Sequence, residues 1–303
     1  MREPSYRSLY RQGQLTRRIA EALDLMRECR LCPRHCGVNR LTGEVGFCRT
    51  GLLARVASFH AHFGEEAPLV GFGGSGTIFF SSCNLLCSFC QNYDISHLAE
   101  GAEVQPEEIA DMMVRLMRQG CHNINFVTPT HVVPQILQAL PLAIERGLNV
   151  PLVFNCGGYE LVSTLRVLEG IFDIYMPDFK FWEARWSEKF CKASDYRNIA
   201  KAAIREMHRQ VGDLLIDEYG VAEKGLLVRH LVMPNDISNT KEVMTFLADK
   251  ISEDTYVNVM DQYHPCGKAM SDPAINRRLT RKEYVEAVRL TKEAGLHRLD
   301  SWR

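Results

Sequence analysis

The chain has 303 residues, of which 46% are hydrophobic and 24% are charged, and its formal net charge is -1. This composition is typical of a globular protein with one large domain, or with a domain and a smaller appendage. The balanced charge gives no support for a nucleic-acid partner or for a disordered acidic tail.

The chain contains no run of about 18 apolar residues, and its N-terminal stretch lacks the apolar core of a signal peptide. We therefore expect a cytoplasmic protein without a membrane span. In such a protein, 11 cysteines indicate metal ligands more than disulfides.

The predicted elements begin with a helix over about residues 8–26, which leads into a cysteine-rich stretch. We expect residues 1–61 to form an N-terminal metal-binding region and residues 62–303 to form the main domain. From Gly76 onward, short β-rich runs alternate with amphipathic helical stretches. The strands are GTIFFS, NINFVT, VPLVFN, FDIYMP, LLVRHLVMP and TYVNVM, and the helices cover about 106–118, 131–146, 159–168, 195–217, 239–250 and 280–294.

Six β–α units with strands that are apolar on both faces predict an α/β fold around a parallel sheet, which either curls into a barrel or lies open. In both arrangements the chemistry gathers at the carboxyl ends of the strands. Polar residues follow nearly every strand at that end: Cys83, Cys87 and Cys90, then Thr128 and Thr130, Asn155, Asp178 and Lys180, with Arg229 inside the fifth strand, and finally Asp261, Tyr263 and His264.

Three cysteines, Cys83, Cys87 and Cys90, follow the first of these strands with the spacing C-x3-C-x2-C. A four-iron cluster normally takes four thiolates, so three protein ligands would leave one iron open to another molecule. An open coordination position is how a metal site stays available to a substrate. The alternative is three core cysteines in a buried loop, but core cysteines rarely cluster in this way.

This motif after a strand resembles the radical S-adenosylmethionine (SAM) enzymes. The resemblance implies a partial (β/α)6 TIM-like barrel, a [4Fe-4S] cluster on the three cysteines and SAM bound to the open iron. It also implies reductive cleavage of SAM to a 5′-deoxyadenosyl radical that abstracts hydrogen from a substrate, and an external electron donor such as flavodoxin or ferredoxin. Phe89 fits the aromatic residue that usually precedes the last cysteine in that superfamily.

Further stretches over about residues 77–268 resemble the pyruvate formate-lyase-activating-enzyme branch and its less characterised relatives. NCGGY, YMPDFK and QYHPCGK imply that Asn155 contacts the ribose, that Lys180 meets the SAM carboxylate and that His264 lies near the adenosine; RHLVMP resembles a strand of that branch. Asp178 acts in the pocket or holds Lys180. The superfamily usually has G-G-E after the second strand, whereas this chain has FVTPTH, so Thr128 and Thr130 offer acceptors for the SAM amino group without a carboxylate. The substrate is a partner protein, a peptide or a small molecule.

A second cysteine cluster lies near the N-terminus: Cys29, Cys32, Cys36 and Cys48, spaced C-x2-C-x3-C-x11-C. Four thiolates can close the shell of a zinc ion or bind an iron–sulfur cluster, and the sequence does not choose between them. The alternative is an unliganded loop.

A rival hypothesis is a non-enzymatic iron–sulfur electron carrier or metal-binding scaffold. It requires a fourth protein ligand beside the three clustered cysteines, for which His62 and Cys156 are candidates. The stretch HAHFGEEAPL, with Glu65 and Glu66, either lines the substrate side or forms a solvated turn, and we favour the turn. GFGGSG spells a dinucleotide-binding pattern but precedes a strand, so we expect a glycine-rich approach to the barrel edge instead.

Overall fold

The computed structural model describes residues 2–300. The helices are α1 (Ser5–Arg11), α2 (Gln14–Arg27), α3 (Ala67–Val70), α4 (Tyr93–Ser96), α5 (Pro106–Arg118), α6 (Val133–Glu145), α7 (Val162–Val167), α8 (Ala184–Cys191), α9 (Tyr196–Val211), α10 (Thr240–Lys250) and α11 (Arg281–Glu293). The strands are β1 (Ala54–His62), β2 (Ser75–Phe80), β3 (Ala102–Val104), β4 (Ile124–Val127), β5 (Leu152–Cys156), β6 (Ile174–Pro177), β7 (Leu215–Ile216), β8 (Ala222–Leu231) and β9 (Tyr256–Met260).

Six parallel strands form the centre of the molecule: β2, β4, β5, β6, β8 and β9 pair side by side in chain order. A sheet in which neighbouring strands follow one another in chain order is typical of a barrel, since the strand order of a doubly wound sheet reverses at a switch point. The barrel is partial, because the outer edge of β2 pairs with the antiparallel β1 and not with β9. The predicted α/β fold, a partial (β/α)6 barrel with a cysteine-rich N-terminal region, is confirmed.

Three short or antiparallel strands extend this sheet. β1 pairs with β2, β3 pairs with β1 on the far side, and β7 pairs with β8. No local pattern in the sequence predicted these three strands or α8, which lies between the fourth and fifth predicted strands. Only two of the nine positions of β1 are buried, so this strand lacks the continuous apolar run that identifies the parallel strands.

The floor of the barrel is an apolar layer. Leu69 of α3 packs there with inward-facing residues of the parallel strands, among them Val153 of β5 and Leu227 of β8. Because α3 follows directly after β1, this short helix carries the residues before it, Glu65 and Glu66, into the barrel. The predicted solvated turn at these two residues is therefore wrong for Glu66, which is 4% exposed.

The N-terminal region packs against the outside of the barrel. The predicted helix over 8–26 is two helices, since Gly13 has a φ of +69° and breaks the chain between α1 and α2. The hydroxyl of Tyr6 donates to the carbonyl of Val150 (3.0 Å), and Thr164 donates to the carbonyl of Leu31 (2.9 Å). The boundary at residue 61 stays a prediction, and β1 runs across it.

Among residues 2–300, no helix is both long enough and apolar enough to cross a bilayer.

Candidate active site

One cavity of about 340 Å³ opens at the carboxyl ends of the parallel strands. This volume lies within the range of small-molecule pockets, roughly 300–1,000 Å³. The wall takes inward-facing residues from every parallel strand or from the loop that follows it, among them Phe79, Cys83, Cys87, Cys90, Val127, Thr128, Asn155, Asp178, Lys180, Arg229, Asn258 and Met260. The topology therefore brings most of the predicted polar groups together.

The loop after β2 carries the three clustered cysteines in a strained conformation. Ser82 and Leu86 have φ values of +72° and +48°, which side chains other than glycine rarely adopt. Two other segments hold the loop in place: Ser88 donates its N–H to the carbonyl of Phe190 (2.8 Å) and accepts from the N–H of Lys268 (3.0 Å). Strain that surrounding contacts maintain in this way is common at functional sites.

All three thiols of this loop have groups that favour a thiolate. The N–H of Leu85 donates to the sulfur of Cys83 (3.3 Å). Ser96 and the N–H of Asn92 interact in the same sense with Cys90. At Cys87 the positive charge of Lys180 also favours the thiolate, but the thiol of Cys191, 3.3 Å from its sulfur, and burial raise the pKa of Cys87 well above its usual value. Burial, and then the charge of Cys87, nevertheless raises the pKa of Cys83 to about 12.

Desolvation and mutual repulsion disfavour three thiolates in one loop, and a bound metal would supply compensating positive charge. Among the described residues, no three His, Cys, Asp or Glu side chains converge at the spacing of a single metal ion. A cluster with several irons spreads its thiolates over different metal atoms. The donor set therefore fits an iron–sulfur cluster with three thiolate ligands.

Phe89, before the last of these cysteines, is 3% exposed and lines the cavity. Its ring packs edge-on against Phe181 and Phe190, at centroid distances of 5.8 and 6.1 Å. These aromatic contacts fix the base of the cysteine loop against α8 and the strand-end loop after β6.

A buried chain of charges crosses the cavity floor. Asp178 pairs with Lys180 on one side and accepts from the Nε of Arg229 on the other (2.8 Å). Arg229 also donates to the side-chain oxygen of Asn155 (2.6 Å). Burial alone would raise the pKa of Asp178, but the charges of Arg229 and Lys180 hold that pKa below its usual value. The carboxylate therefore stays ionised, and Lys180 keeps its proton.

Tyr196 of α9 supports this chain of charges from behind, although in the sequence it is only one aromatic residue of a predicted helix. Its hydroxyl lies 3.0 Å from the carbonyl oxygens of Gly157 and Asp178 and accepts from the N–H of Lys180 (3.0 Å). At Gly158, with a φ of +77°, a Cβ would lie 2.2 Å from the carbonyl oxygen of Asp178. Gly158 of NCGGY thus lets the loops after β5 and β6 approach each other.

At the other end of the cavity, Glu66 and Asn258 present hydrogen-bond acceptors without partners. The Oε1 of Glu66 accepts from the Nδ2 of Asn258 (3.0 Å), whereas the Oε2 of Glu66 and the Oδ1 of Asn258 are buried without a hydrogen bond among the described residues. Arg229 lies 3.8 Å from both Glu65 and Glu66. Burial raises the pKa of Glu66 to about 7.

The two threonines of FVTPTH lie in different environments. Thr128 lines the cavity with a φ of +59°, an unusual conformation for a β-branched residue. Thr130 is fully buried away from the cavity wall, where its hydroxyl donates to Glu160 (2.8 Å). Burial raises the pKa of Glu160 to about 8.

His264 does not reach the cavity wall in this structure. Its Nδ1 lies 3.4 Å from the Nε2 of Gln91 and 3.2 Å from the carbonyl oxygen of Gln262. Of these, Gln91 and Gln262 line the cavity. The two candidates for a fourth cluster ligand, His62 and Cys156, both belong to the wall.

The chain is similar to a known protein over most of its length. No protein-family model matches the chain. The uncharacterized protein MJ0674 of Methanocaldococcus jannaschii is 35% identical over 288 residues, and the match covers 92% of this chain and 78% of that protein. The chain belongs to the family of MJ0674. The name of that relative assigns no activity to the family.

Two solved structures are similar at a lower level. Methylornithine synthase (PylB) has a TM-score of 0.49 and 17% identity, over 73% of this chain and 62% of that chain. Native anSMEcpe with bound AdoMet has a TM-score of 0.48 and 15% identity, over 70% of this chain and 57% of that chain. The chain thus spans about three fifths of the length of these two proteins.

Proposed function

We propose that the protein is a radical SAM enzyme. The observation that carries the proposal is the convergence of three thiols from one strained loop with a buried Lys180–Asp178–Arg229 chain on one cavity of about 340 Å³. The three thiols supply one ligand fewer than a four-iron cluster normally takes. The charged and polar groups beside them suit a zwitterionic small molecule.

In this proposal Cys83, Cys87 and Cys90 would hold a [4Fe-4S] cluster. When bound and reduced, such a cluster supplies the electron that cleaves SAM to methionine and a 5′-deoxyadenosyl radical. The N–H of Leu85 would stabilise negative charge on the sulfur of Cys83.

The SAM contacts proposed for this chain follow the cavity wall. Lys180 offers an ammonium group to the SAM carboxylate, and Asp178 keeps that group charged and oriented. Asn155, held by Arg229, would bind the ribose hydroxyls. Thr128 would take part in binding the amino group, and Phe89 fixes the loop. Thr130 and His264 would have supporting roles, Thr130 through its bond to Glu160 and His264 through its position beside Gln91.

The end of the cavity at Glu66 and Asn258 suits the substrate. Two buried acceptors without partners favour a group with N–H donors, because an acceptor left unpaired in the bound state loses affinity. Arg229 lies 3.8 Å from both Glu65 and Glu66 and offsets their charge, so the two acceptors select for N–H donors and not for a net positive charge. We infer that a small molecule, a peptide or a side chain of a partner protein presents such a group next to the site of hydrogen abstraction.

Anaerobic reconstitution with iron and sulfide, reduction with dithionite and assay for 5′-deoxyadenosine test the proposal. We expect 5′-deoxyadenosine from the loaded protein and none above background from Cys87→Ala. Cys121→Ala is the matched control, since Cys121 is a buried cysteine outside the cavity. A fully loaded and reduced protein that makes no 5′-deoxyadenosine would favour the electron carrier, with His62 or Cys156 as the fourth ligand.

A further inference from the structure

A second, smaller cavity lies in the N-terminal region, about which the radical SAM proposal says nothing. All four cysteines of the first cluster, Cys29, Cys32, Cys36 and Cys48, line it. All four are free thiols, and three of them are buried. Residues spread over 20 positions of the chain thus bring their side chains to one cavity wall, together with Arg40 and with His131 from the barrel.

Arg40 is the first unusual feature of this wall. Its side chain is 1% exposed. Its Nε and Nη2 donate to the carbonyl oxygen of Gly51 (3.2 and 3.0 Å), whereas its Nη1 has no partner, and no ion pair of Arg40 occurs in the described part of the chain. A buried guanidinium without a counter-charge is costly, so the cavity requires a negative group.

His131 is the second unusual feature of this cavity wall. It is 1% exposed, and its Nε2 lies 2.8 Å from the carbonyl oxygen of Ser81. Because a carbonyl only accepts, Nε2 carries the hydrogen of the neutral ring, and Nδ1 is left as a bare lone pair without a partner among the described residues. Histidines that bind metals directly, or that support a metal site, are usually oriented by such a bond to a backbone carbonyl.

The backbone near Cys36 lies close to its sulfur and donates a hydrogen bond to it. The N–H of Phe47 donates to the sulfur of Cys36 (3.3 Å). Gly46 lies so close that a Cβ there would be 2.6 Å from the same sulfur. Only a residue without a side chain therefore permits this approach.

We propose that Cys29, Cys32, Cys36 and Cys48 bind a metal centre as thiolates, with Arg40 as its buried counter-charge. Four thiolates carry more negative charge than a divalent ion or a four-iron core neutralises, so the bound centre is anionic and complements the guanidinium. The ligand class is a preformed iron–sulfur cluster, because among the described residues no three His, Cys, Asp or Glu side chains converge at the spacing of a single metal ion. Binding of a preformed cluster releases the thiol protons to solvent and changes no oxidation state.

Such a centre would also support the loop of Cys83, Cys87 and Cys90. Arg34, between the second and third N-terminal cysteines, donates to the carbonyl oxygens of Asn84 (2.8 Å) and Cys191 (2.7 Å). Its guanidinium lies 3.9 Å from the ring centroid of Phe47. A metal that fixes the N-terminal loop thereby fixes Arg34 against the second cysteine loop.

The test uses the full-length chain with Cys83, Cys87 and Cys90 replaced by alanine, so that any metal belongs to the N-terminal site. The protein is purified anaerobically from medium supplied with zinc and iron, and zinc, iron and acid-labile sulfide are measured. We expect about four irons with acid-labile sulfide per chain. Less than about a tenth of that iron, or zinc in place of iron, overturns the proposal.

A second measurement identifies the ligands of the bound metal. X-ray absorption at the iron edge should show a shell of sulfur ligands. A shell of oxygen and nitrogen alone would contradict the assignment. Added Cys32→Ala should abolish metal retention, whereas added Cys121→Ala should retain it; equal metal in both would also contradict the assignment. Arg40→Met should weaken retention against a chelator by roughly 10–100-fold, as loss of a supporting contact does at other metal sites.

Discussion

Replacement of Asp178 by asparagine tests the buried chain of charges on which the proposed site depends. The side chains of Asp178, Lys180 and Arg229 are only 10%, 13% and 17% exposed. Asparagine keeps the shape of aspartate but removes the negative charge between the two cations. Removal of one partner from a buried ion pair typically costs about 3–5 kcal/mol.

This cost predicts a large thermal effect. At roughly 2–4 °C per kcal/mol, Asp178→Asn should lower the melting temperature by roughly 6–20 °C. The matched control is Asp111→Asn: Asp111 pairs with Arg146 at 2.7 Å, but the two side chains are 56% and 38% exposed. A surface pair of this kind contributes about 0–1 kcal/mol, so the control should shift the melting temperature by less than about 4 °C.

The assay is thermal unfolding of anaerobically purified proteins with equal metal content, followed by circular dichroism. The pH dependence gives a second signature. The pKa of Asp178 is held below its usual value, so its contribution is present above about pH 3.9 and is lost as the pH falls through the lowered pKa. Asp178→Asn should lack that part of the acid destabilisation. Equal melting temperatures for the two asparagine variants would refute the reasoning.

Two further predictions concern the ends of the cavity. Amine-containing compounds from a deuterated cell extract should transfer deuterium into 5′-deoxyadenosine. N-acetylation of the extract, or Glu66→Gln, should reduce that transfer at least ~10-fold, a loss of about 1.4 kcal/mol. Unchanged transfer would exclude the proposed N–H recognition. Gly158→Ala should destabilise the protein by at least ~2 kcal/mol more than Gly13→Ala in urea unfolding, because both glycines have positive φ but a Cβ clashes only at Gly158, 2.2 Å from a carbonyl oxygen.

The parallel strands could be predicted because each is a short apolar run of β-rich residues followed by a polar group. Their common carboxyl end then places Cys83, Asn155, Asp178 and Lys180 near one another without any knowledge of distances. The pattern at α5 was equally clear: Pro106 is the first helical residue and Gln105 and Glu108 form a capping box, so the predicted bounds agree with the structure.

The partners of those residues could not be predicted, because they come from segments with no local signal. Glu66 reads as part of a polar turn, and only the apolar contact of Leu69 with the barrel floor explains its burial. Tyr196 reads as an outer helical residue, yet its hydroxyl joins two strand-end loops. Sequence periodicity describes which face of an element is buried, but not which distant element covers it.

The glycines of GFGGSG illustrate the same limit. Because GFGGSG precedes a strand, the pattern predicts a close backbone approach at the barrel edge and not a nucleotide site. A Cβ on Gly73 would lie 1.9 Å from the carbonyl oxygen of Gly120, in the turn before β4. The pattern indicated that backbone segments meet here, but the partner segment became evident only in three dimensions.

The loop of the three clustered cysteines is held by segments that are far from it in the chain. Backbone contacts from Phe190 and Lys268 hold its middle, and Arg34 of the N-terminal region binds its carbonyl at Asn84. Three segments far apart in the chain therefore determine where the thiols lie. If metal binding orders the N-terminal segment, the geometry of the proposed active site depends on a second metal centre outside the barrel. In that case the two cysteine clusters act as one functional unit, although the sequence presents them as separate motifs.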